Sequence, residues 1–328
     1  MKNLNNRISD FLRLNMSWVI LIIICTIFGV TSDNFFSLNN IINILSQNSY
    51  LIVVSLGITF LMMSGSMDLS VGYAMSTCGV VCATLLVITG LPVWICILLT
   101  LLLGIGIAVL NTFLAIKLKL PVLFISIATM TIFQGVSYIF SKSKSISGFP
   151  PVFKFIGQGR VFGIPLAIII TAVFFILMSF ILNKTYFGRY IYALGGNEEA
   201  ARLSGIYVKK MRYMIAVITG FFVGLSSIML IARLGAAQSV VGPGTEFSVI
   251  TGIFLGGVSV RGGEGKLSGV LAGILSIAIL SNGMQLAGIN VYYQYLAKGT
   301  IMLVAVGFDV YQLNRRNIVN KKISEKQS

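Results

Sequence analysis

Long apolar runs recur along nearly the whole chain, and they constrain its fold more than anything else in it. Residues 18–30, 51–63 and 166–182 are three of them. A helix needs roughly 20 apolar residues to cross the hydrocarbon of a bilayer. The runs do not alternate polar with apolar, as the strands of a membrane barrel must. Charge is too sparse for water to be the main solvent: 10% of the 328 residues are Asp, Glu, Lys or Arg, against about 25% in a soluble domain. The sequence predicts an all-α polytopic membrane protein, with one transmembrane domain over 1–328. The runs place about ten spans, at 16–31, 42–63, 70–89, 92–116, 121–140, 163–182, 213–232, 246–260, 267–283 and 296–312.

The cations orient this map. With the N-terminus in the cytoplasm, most of the 24 Lys and Arg fall on the cytoplasmic side. They are Lys2, Arg7 and Arg13, then Lys117 and Lys119, the group from Lys184 to Arg212, Arg261 with Lys266, and the tail from Arg315 to Lys326. Cytoplasmic loops carry such an excess. Both termini are therefore expected inside, with 313–328 a basic cytoplasmic tail. The net charge of +15 reads as topology signal and anionic-lipid attraction, not as a nucleic-acid surface. The first run resembles a signal peptide, but no small-x-small site follows it, so it is expected to be retained as a span.

Little in the sequence points to catalysis. Histidine is absent. Cys25, Cys78, Cys82 and Cys96 all lie inside apolar runs and read as small buried hydrophobes. The segment GGEGK at 262–266 lacks the first glycine and the hydroxyl residue of a nucleotide-binding loop. Asn183-Lys184-Thr185 is a formal glycosylation sequon, but it falls on the cytoplasmic side of this map. No cofactor or metal is expected on this chain, and no enzymatic activity.

Two segments interrupt the helical pattern. One runs from Ser64 to Gly72 and contains Asp68 and Ser70; the other runs from Gly256-Gly257 to Gly269. Polar breaks of this kind need protein or water around them, never bare lipid. They hint at an internal duplication, with spans two to five echoing seven to ten. Gly220 with Gly224, and Gly269 with Gly273, are small-x-x-x-small pairs that permit close helix contact. The outer segment 141–162 carries Pro150-Pro151 and several glycines, which argue against a regular helix.

Amides inside spans admit two readings. Asn43, Gln47, Asn48, Asn111, Gln134 and Asn282 serve either as glue between helices or as a hydrogen-bonding path for a neutral polar solute. Tyr50, Phe133 and Tyr138 stack on a sugar ring or simply pack.

The stretch 193–212 is the most charged part of the chain. Asn197 is placed to cap a short helix beginning at Glu198. Glu198 and Glu199 suit the helix dipole. Gly205 stops the helix, and Ile206 with Tyr207 leaves an apolar tip. This is a cytoplasmic helix for another protein to grip, or a capped connector lying on headgroups.

Three stretches resemble the ribose-type permeases of bacterial ATP-binding-cassette importers. Residues 65–72, GSMDLSVG, are similar to that family's Gly-x-x-Asp-Leu-Ser-Val-Gly signature. Residues 195–206, GGNEEAARLSGI, are similar to its Glu-Ala-Ala…Gly loop, and residues 256–265, GGVSVRGGEG, to its Gly-Gly-x-Ser-x-x-Gly-Gly-x-Gly segment. Asn282-Gly283 and Asp309 also fall where the pattern expects them, while Ser64 stands where many members have a further glycine. The resemblance implies a permease that pairs with a second permease subunit, alike or paralogous. It implies two ATPase subunits that bind ATP and Mg, and an extracytoplasmic sugar-binding protein that delivers a monosaccharide-like cargo. Gly195, Asn197, Glu198, Ala200, Ala201 and Gly205 would couple to the ATPase. The cargo stays open among ribose, galactose, xylose, nucleosides and a quorum-signalling furanose. An ion-coupled secondary sugar transporter and a channel-like membrane subunit are the alternatives.

Overall fold

The computed structural model describes residues 16–31, 34–307 and 310. Asp309, the tail 313–328 and the cations Lys2, Arg7 and Arg13 lie outside the described residues. The described chain is mainly helical. In order it forms α1 (Met16–Thr31), α2 (Leu38–Met63), α3 (Val71–Ala83, prolonged by a π turn over Thr84–Ile88), α4 (Val93–Leu118) and α5 (Val122–Ser141). These are followed by α6 (Pro151–Gln158), α7 (Leu166–Lys184), α8 (Tyr186–Gly196), α9 (Glu198–Leu203), α10 (Val208–Leu234), α11 (Thr245–Leu255), α12 (Leu267–Leu286) and a last helix α13 over 291–307.

Seven helices among the described residues are long and apolar enough to cross a membrane: α2, α3 with its π turn, α4, α5, α7, α10 and α12. The chain is a multi-pass membrane protein. Over the expected span at 246–260 the regular helix is the 11-residue α11. At 1.5 Å per residue α11 reaches about 16 Å, near half of a hydrocarbon core about 30 Å thick. It stops because Gly256 and Gly257 follow, Gly257 with φ +81°, where a side chain would be strained. Helix α10 begins at Val208, ahead of the expected 213, because its helix runs on through Lys209, Lys210 and Arg212.

Helices α2 and α10 form the centre, and every residue of α2 from Leu51 to Met63 is buried. A helix apolar on all sides belongs in the middle of a bundle. By contrast α7 turns Val173, Ile176 and Phe180 outward, as a lipid-facing helix does. The small-residue pairs work as expected. A Cβ on Gly220 or Gly104 would strike the other's helix backbone, so α4 and α10 touch main chain to main chain. Gly269 and Gly273 admit Gly252 of α11 and Gly256, which follows it, in the same way.

One end of the bundle is closed by α6 and two short strand pairs. Ile146 pairs with Ala237, and Arg160 with Pro165. The expectation of no regular helix over 141–162 is corrected here. Pro151 occupies the first turn of α6, where its missing N–H costs nothing. Gly157 then lies against the backbone of Arg233, and Gln158 Nε2 donates to the Arg233 carbonyl at 2.9 Å. The opposite end gathers Met63–Gly65, the α4–α5 turn, α8, α9 and Arg261–Gly265. The first break follows the first helix of the 2–5 group, whereas the second follows the second helix of the 7–10 group. The breaks therefore carry no argument for a duplication.

Candidate functional site

The stretch 193–212 folds as its residues dictate. Asn197 accepts the Ala200 N–H at 3.0 Å through its side chain and so caps α9. Gly205 has φ +85°, and the Ile206 N–H returns to the Ala201 carbonyl at 3.1 Å, a left-handed stop. Glu198 is ion-paired with Arg212 of α10, and Glu199 with Arg202. Helix α9 is thus pinned by its first residue to the start of a central helix.

Its faces differ from the expectation in one respect. Ala200 is exposed, but Ala201 is only 4% exposed and packs inward. Ile206 is half-buried. The apolar surface offered outward is Leu203, 80% exposed, with Tyr207, 81% exposed. Leucine 203 carries no motif signal. Its orientation follows from which side of a two-turn helix the Glu198–Arg212 pair fastens down.

Behind α9, the C-terminal end of α8 touches both breaks. A Cβ on Gly195 would overlap the carbonyl oxygen of Met63 and the amide of Gly263. Gly263 N donates to Met63 O at 2.8 Å. Gly262 lies against Gly65, and Gly263 against Gly196. Tyr192 of α8 donates its hydroxyl to the Gly265 carbonyl at 2.9 Å. The three motifs, far apart in sequence, meet at one junction where main chain touches main chain. At Gly195 and Gly196 these contacts are main chain to main chain, with no side chain between.

Above the junction the first break is held by buried polar bonds. Asp68 Oδ1 accepts from the Ser70 amide at 2.7 Å and from its hydroxyl at 2.6 Å. Asn111 of α4 donates to Asp68 Oδ2 at 3.1 Å and to Ser70 Oγ at 2.9 Å. The Leu69 amide donates to Ser126 Oγ of α5 at 3.0 Å. All of these side chains are buried, and Asn111 Oδ1 has no partner. The cluster fixes the chain where α3 must start. Asp68→Ala leaves buried donors unsatisfied, each at about 1–3 kcal/mol, and is expected to lower the melting temperature of the purified chain by several degrees. Asp68→Asn keeps the Oδ1 acceptor for Ser70 but sets an amide donor opposite Asn111 Nδ2, so it is expected to lose less than alanine but not nothing; an unchanged melting temperature in Asp68→Ala would show that the cluster does not hold the break.

The other amides do not converge on one path. Asn282 and Asn40 exchange amide bonds at 3.1 and 3.2 Å, joining α12 to α2. Asn48 bonds back to the Ile44 carbonyl at 2.8 Å. Asn43 and Gln47 are exposed on α2, and the Gln47 carbonyl accepts from Arg233 at 2.7 Å. Gln134 is half-buried on α5. Gly256 and Gly257 serve the turn and the close packing already described. Glu246 is a buried group that the motifs did not mark as a site. It is 2% exposed, and its two carboxylate oxygens accept from the Gly244 amide at 3.0 and 3.1 Å. Gly72 leaves the room it needs, since a Cβ there would overlap that carboxylate.

Residues 40–306 match the family described as branched-chain amino acid transport system / permease component. The chain belongs to this permease family. The match spans both breaks, the junction and α9. This permease is 37% identical over 311 residues to a ribose import permease protein of Haemophilus influenzae, covering 94% of this chain and 96% of the relative. It is 34% identical over 299 residues to the ribose import permease protein of Escherichia coli K12, with 89% and 92% covered. It is 36% identical over 313 residues to the L-arabinose transport system permease protein of the same organism, with 95% and 94% covered. No solved structure matches the permease. Its named relatives are transport permeases, and the chain is a transport subunit, not an enzyme.

Proposed function

We propose that this permease is the transmembrane subunit of an ATP-binding-cassette importer for a monosaccharide. The observation that carries this reading is the junction. An exposed, capped two-turn helix is joined by close backbone contact to both broken segments of the bundle. ATP and Mg would be held by two partner ATPase subunits. These would grip α9 at Leu203 and Tyr207, with Glu198, Ala200, Ala201 and Gly205 shaping the helix. A second permease subunit would complete the pathway, and an extracytoplasmic binding protein would deliver the cargo.

The junction end would face the cytoplasm, which places both termini there in a bacterial cell membrane. Counting α1, α11 and α13 with the seven long helices gives ten crossings, with α11 completed by the irregular chain beside it. Asn43, Gln47, Asn48 and Gln134 remain the candidates for the solute path. Asn111 and Asn282 serve as glue. The sugar assignment rests on relatives named for ribose and L-arabinose that align over nearly their full lengths, a narrower match than the family's general description.

The test is uptake by proteoliposomes holding the permease, its ATPase and its binding protein. Labelled ribose or arabinose is expected to enter only with ATP, unaffected by excess leucine. Flux by the permease alone, driven by an ion gradient, would instead establish a secondary transporter. Flux with neither gradient nor nucleotide would establish a channel.

A further inference from the structure

The junction end also contains a cavity of about 580 Å³. Its walls are the first break, the α4–α5 turn and the starts of α9 and α10. Ser66, Lys119, Pro121, Glu198, Lys209 and Arg212 are among its lining residues. Three cations therefore face one carboxylate. Arg212 is already paired with Glu198, so the charge left over is that of Lys119 and Lys209. Neither has an ion-pair partner among the described residues.

Lys119 ends α4 in the left-handed region, with φ 56°, as Lys142 ends α5; this turn sets it at the rim of the cavity. On either side of it Leu118 and Leu120 are exposed, as is Phe124 one turn into α5. A cation flanked by exposed apolar side chains matches a molecule with an anionic head and an apolar tail.

We propose that this cavity binds a phosphate group through Lys119 and Lys209, beside the Arg212–Glu198 pair. The shared chemistry is a phosphate monoanion or dianion accepting charge-assisted hydrogen bonds. Its source is either an anionic phospholipid headgroup or a soluble phosphate. Once bound, it ties the α4–α5 turn to the corner of α9 and α10, across the mouth of the first break. The site does not depend on the sugar assignment or on the presence of an ATPase.

The test uses the full-length permease, purified and stripped of lipid. Short-chain phosphatidylglycerol, short-chain phosphatidylcholine and inorganic phosphate are titrated separately, and binding is followed by native mass spectrometry and by thermal shift. Phosphatidylglycerol or inorganic phosphate is expected to bind and to raise the melting temperature. Lys119→Gln/Lys209→Gln is expected to weaken that binding by about tenfold or more, the scale of removing two headgroup-facing cations. Binding of phosphatidylglycerol alone identifies the lipid; displacement by inorganic phosphate identifies a site open to both sources. Both lysines are exposed, so the charge removal does not load the core, and Lys184→Gln/Lys210→Gln, two exposed lysines outside the cavity lining, controls for the loss of two charges. Equal binding by the double variant and the wild type would overturn the proposal, as would no preference for phosphatidylglycerol over phosphatidylcholine together with no response to phosphate. Loss of the ATPase partner from the double variant with anion binding unchanged would mean that an acidic protein side chain fills the cavity, which also overturns it.

Discussion

Leu203→Asp is expected to separate the permease from its ATPase while leaving the permease itself intact. The side chain is 80% exposed in the isolated chain, so the substitution removes almost no internal packing. In the assembled importer the same leucine would be buried against the partner. Its loss there forfeits about 1.5–3 kcal/mol of apolar burial, and an unpaired carboxylate in the contact costs more. Association should weaken by about a hundredfold or more, since each 1.4 kcal/mol is a factor of ten. Co-purification of the ATPase and ATP-driven uptake should fall together, with the melting temperature of the isolated permease unchanged. Ala201→Arg is expected to behave differently. Ala201 is 4% exposed, so a long charged side chain must displace α9 from the bundle and should lower the melting temperature as well. If Leu203→Asp co-purifies with the ATPase and transports normally, α9 is not the grip.

The contrast between Leu203 and Ala201 shows what the sequence carries and what it does not. The membrane class was legible because apolar length and sparse charge leave a chain no other solvent. The cap at Asn197 and the stop at Gly205 were legible because both are local: a side-chain oxygen two or three residues from an amide, and a backbone angle that glycine tolerates. Which face of α9 looks outward was not legible, because that depends on the Glu198–Arg212 pair across a separation no local pattern encodes. The regular helix within 246–260 is shorter than the sequence predicts for a related reason. Hydropathy continues through 256–260, but the helix ends where Gly256 must approach the α12 backbone. Pro150-Pro151 was read as a helix breaker, although the second proline is a helix starter once the chain turns there. Among the amides, the sequence admits both glue and path, because the partner of a buried amide is set by the tertiary fold: Asn282 finds Asn40, and Asn111 finds Asp68 and Ser70.

The meeting of the three motifs yields the sharpest test of transmission, because two adjacent glycines differ in their surroundings. Gly195 has no room for a Cβ between the Met63 carbonyl and the Gly263 amide, whereas a Cβ on Gly196 meets nothing within 4 Å. Gly195→Ala must therefore push α8 away from both breaks and strain the Gly263–Met63 hydrogen bond. Overpacking of this kind costs about 1–3 kcal/mol, concentrated at the one place where motion of α9 would pass into the bundle. Uptake by the reconstituted importer is expected to fall about tenfold or more, with ATP hydrolysis continuing, because the grip at Leu203 is untouched. Gly196→Ala is expected to transport normally, and its alanine suits the end of a helix better than glycine by up to about 1 kcal/mol. Tyr192→Phe offers a milder cut at the same joint. It removes only the hydroxyl that donates to Gly265, a bond worth about 0.5–1.5 kcal/mol net, and a few-fold loss of coupling is expected. Should Gly195→Ala and Gly196→Ala transport alike, contact between α8 and the breaks would be packing alone, and the path from motor to bundle would have to run through the Glu198–Arg212 pair into α10.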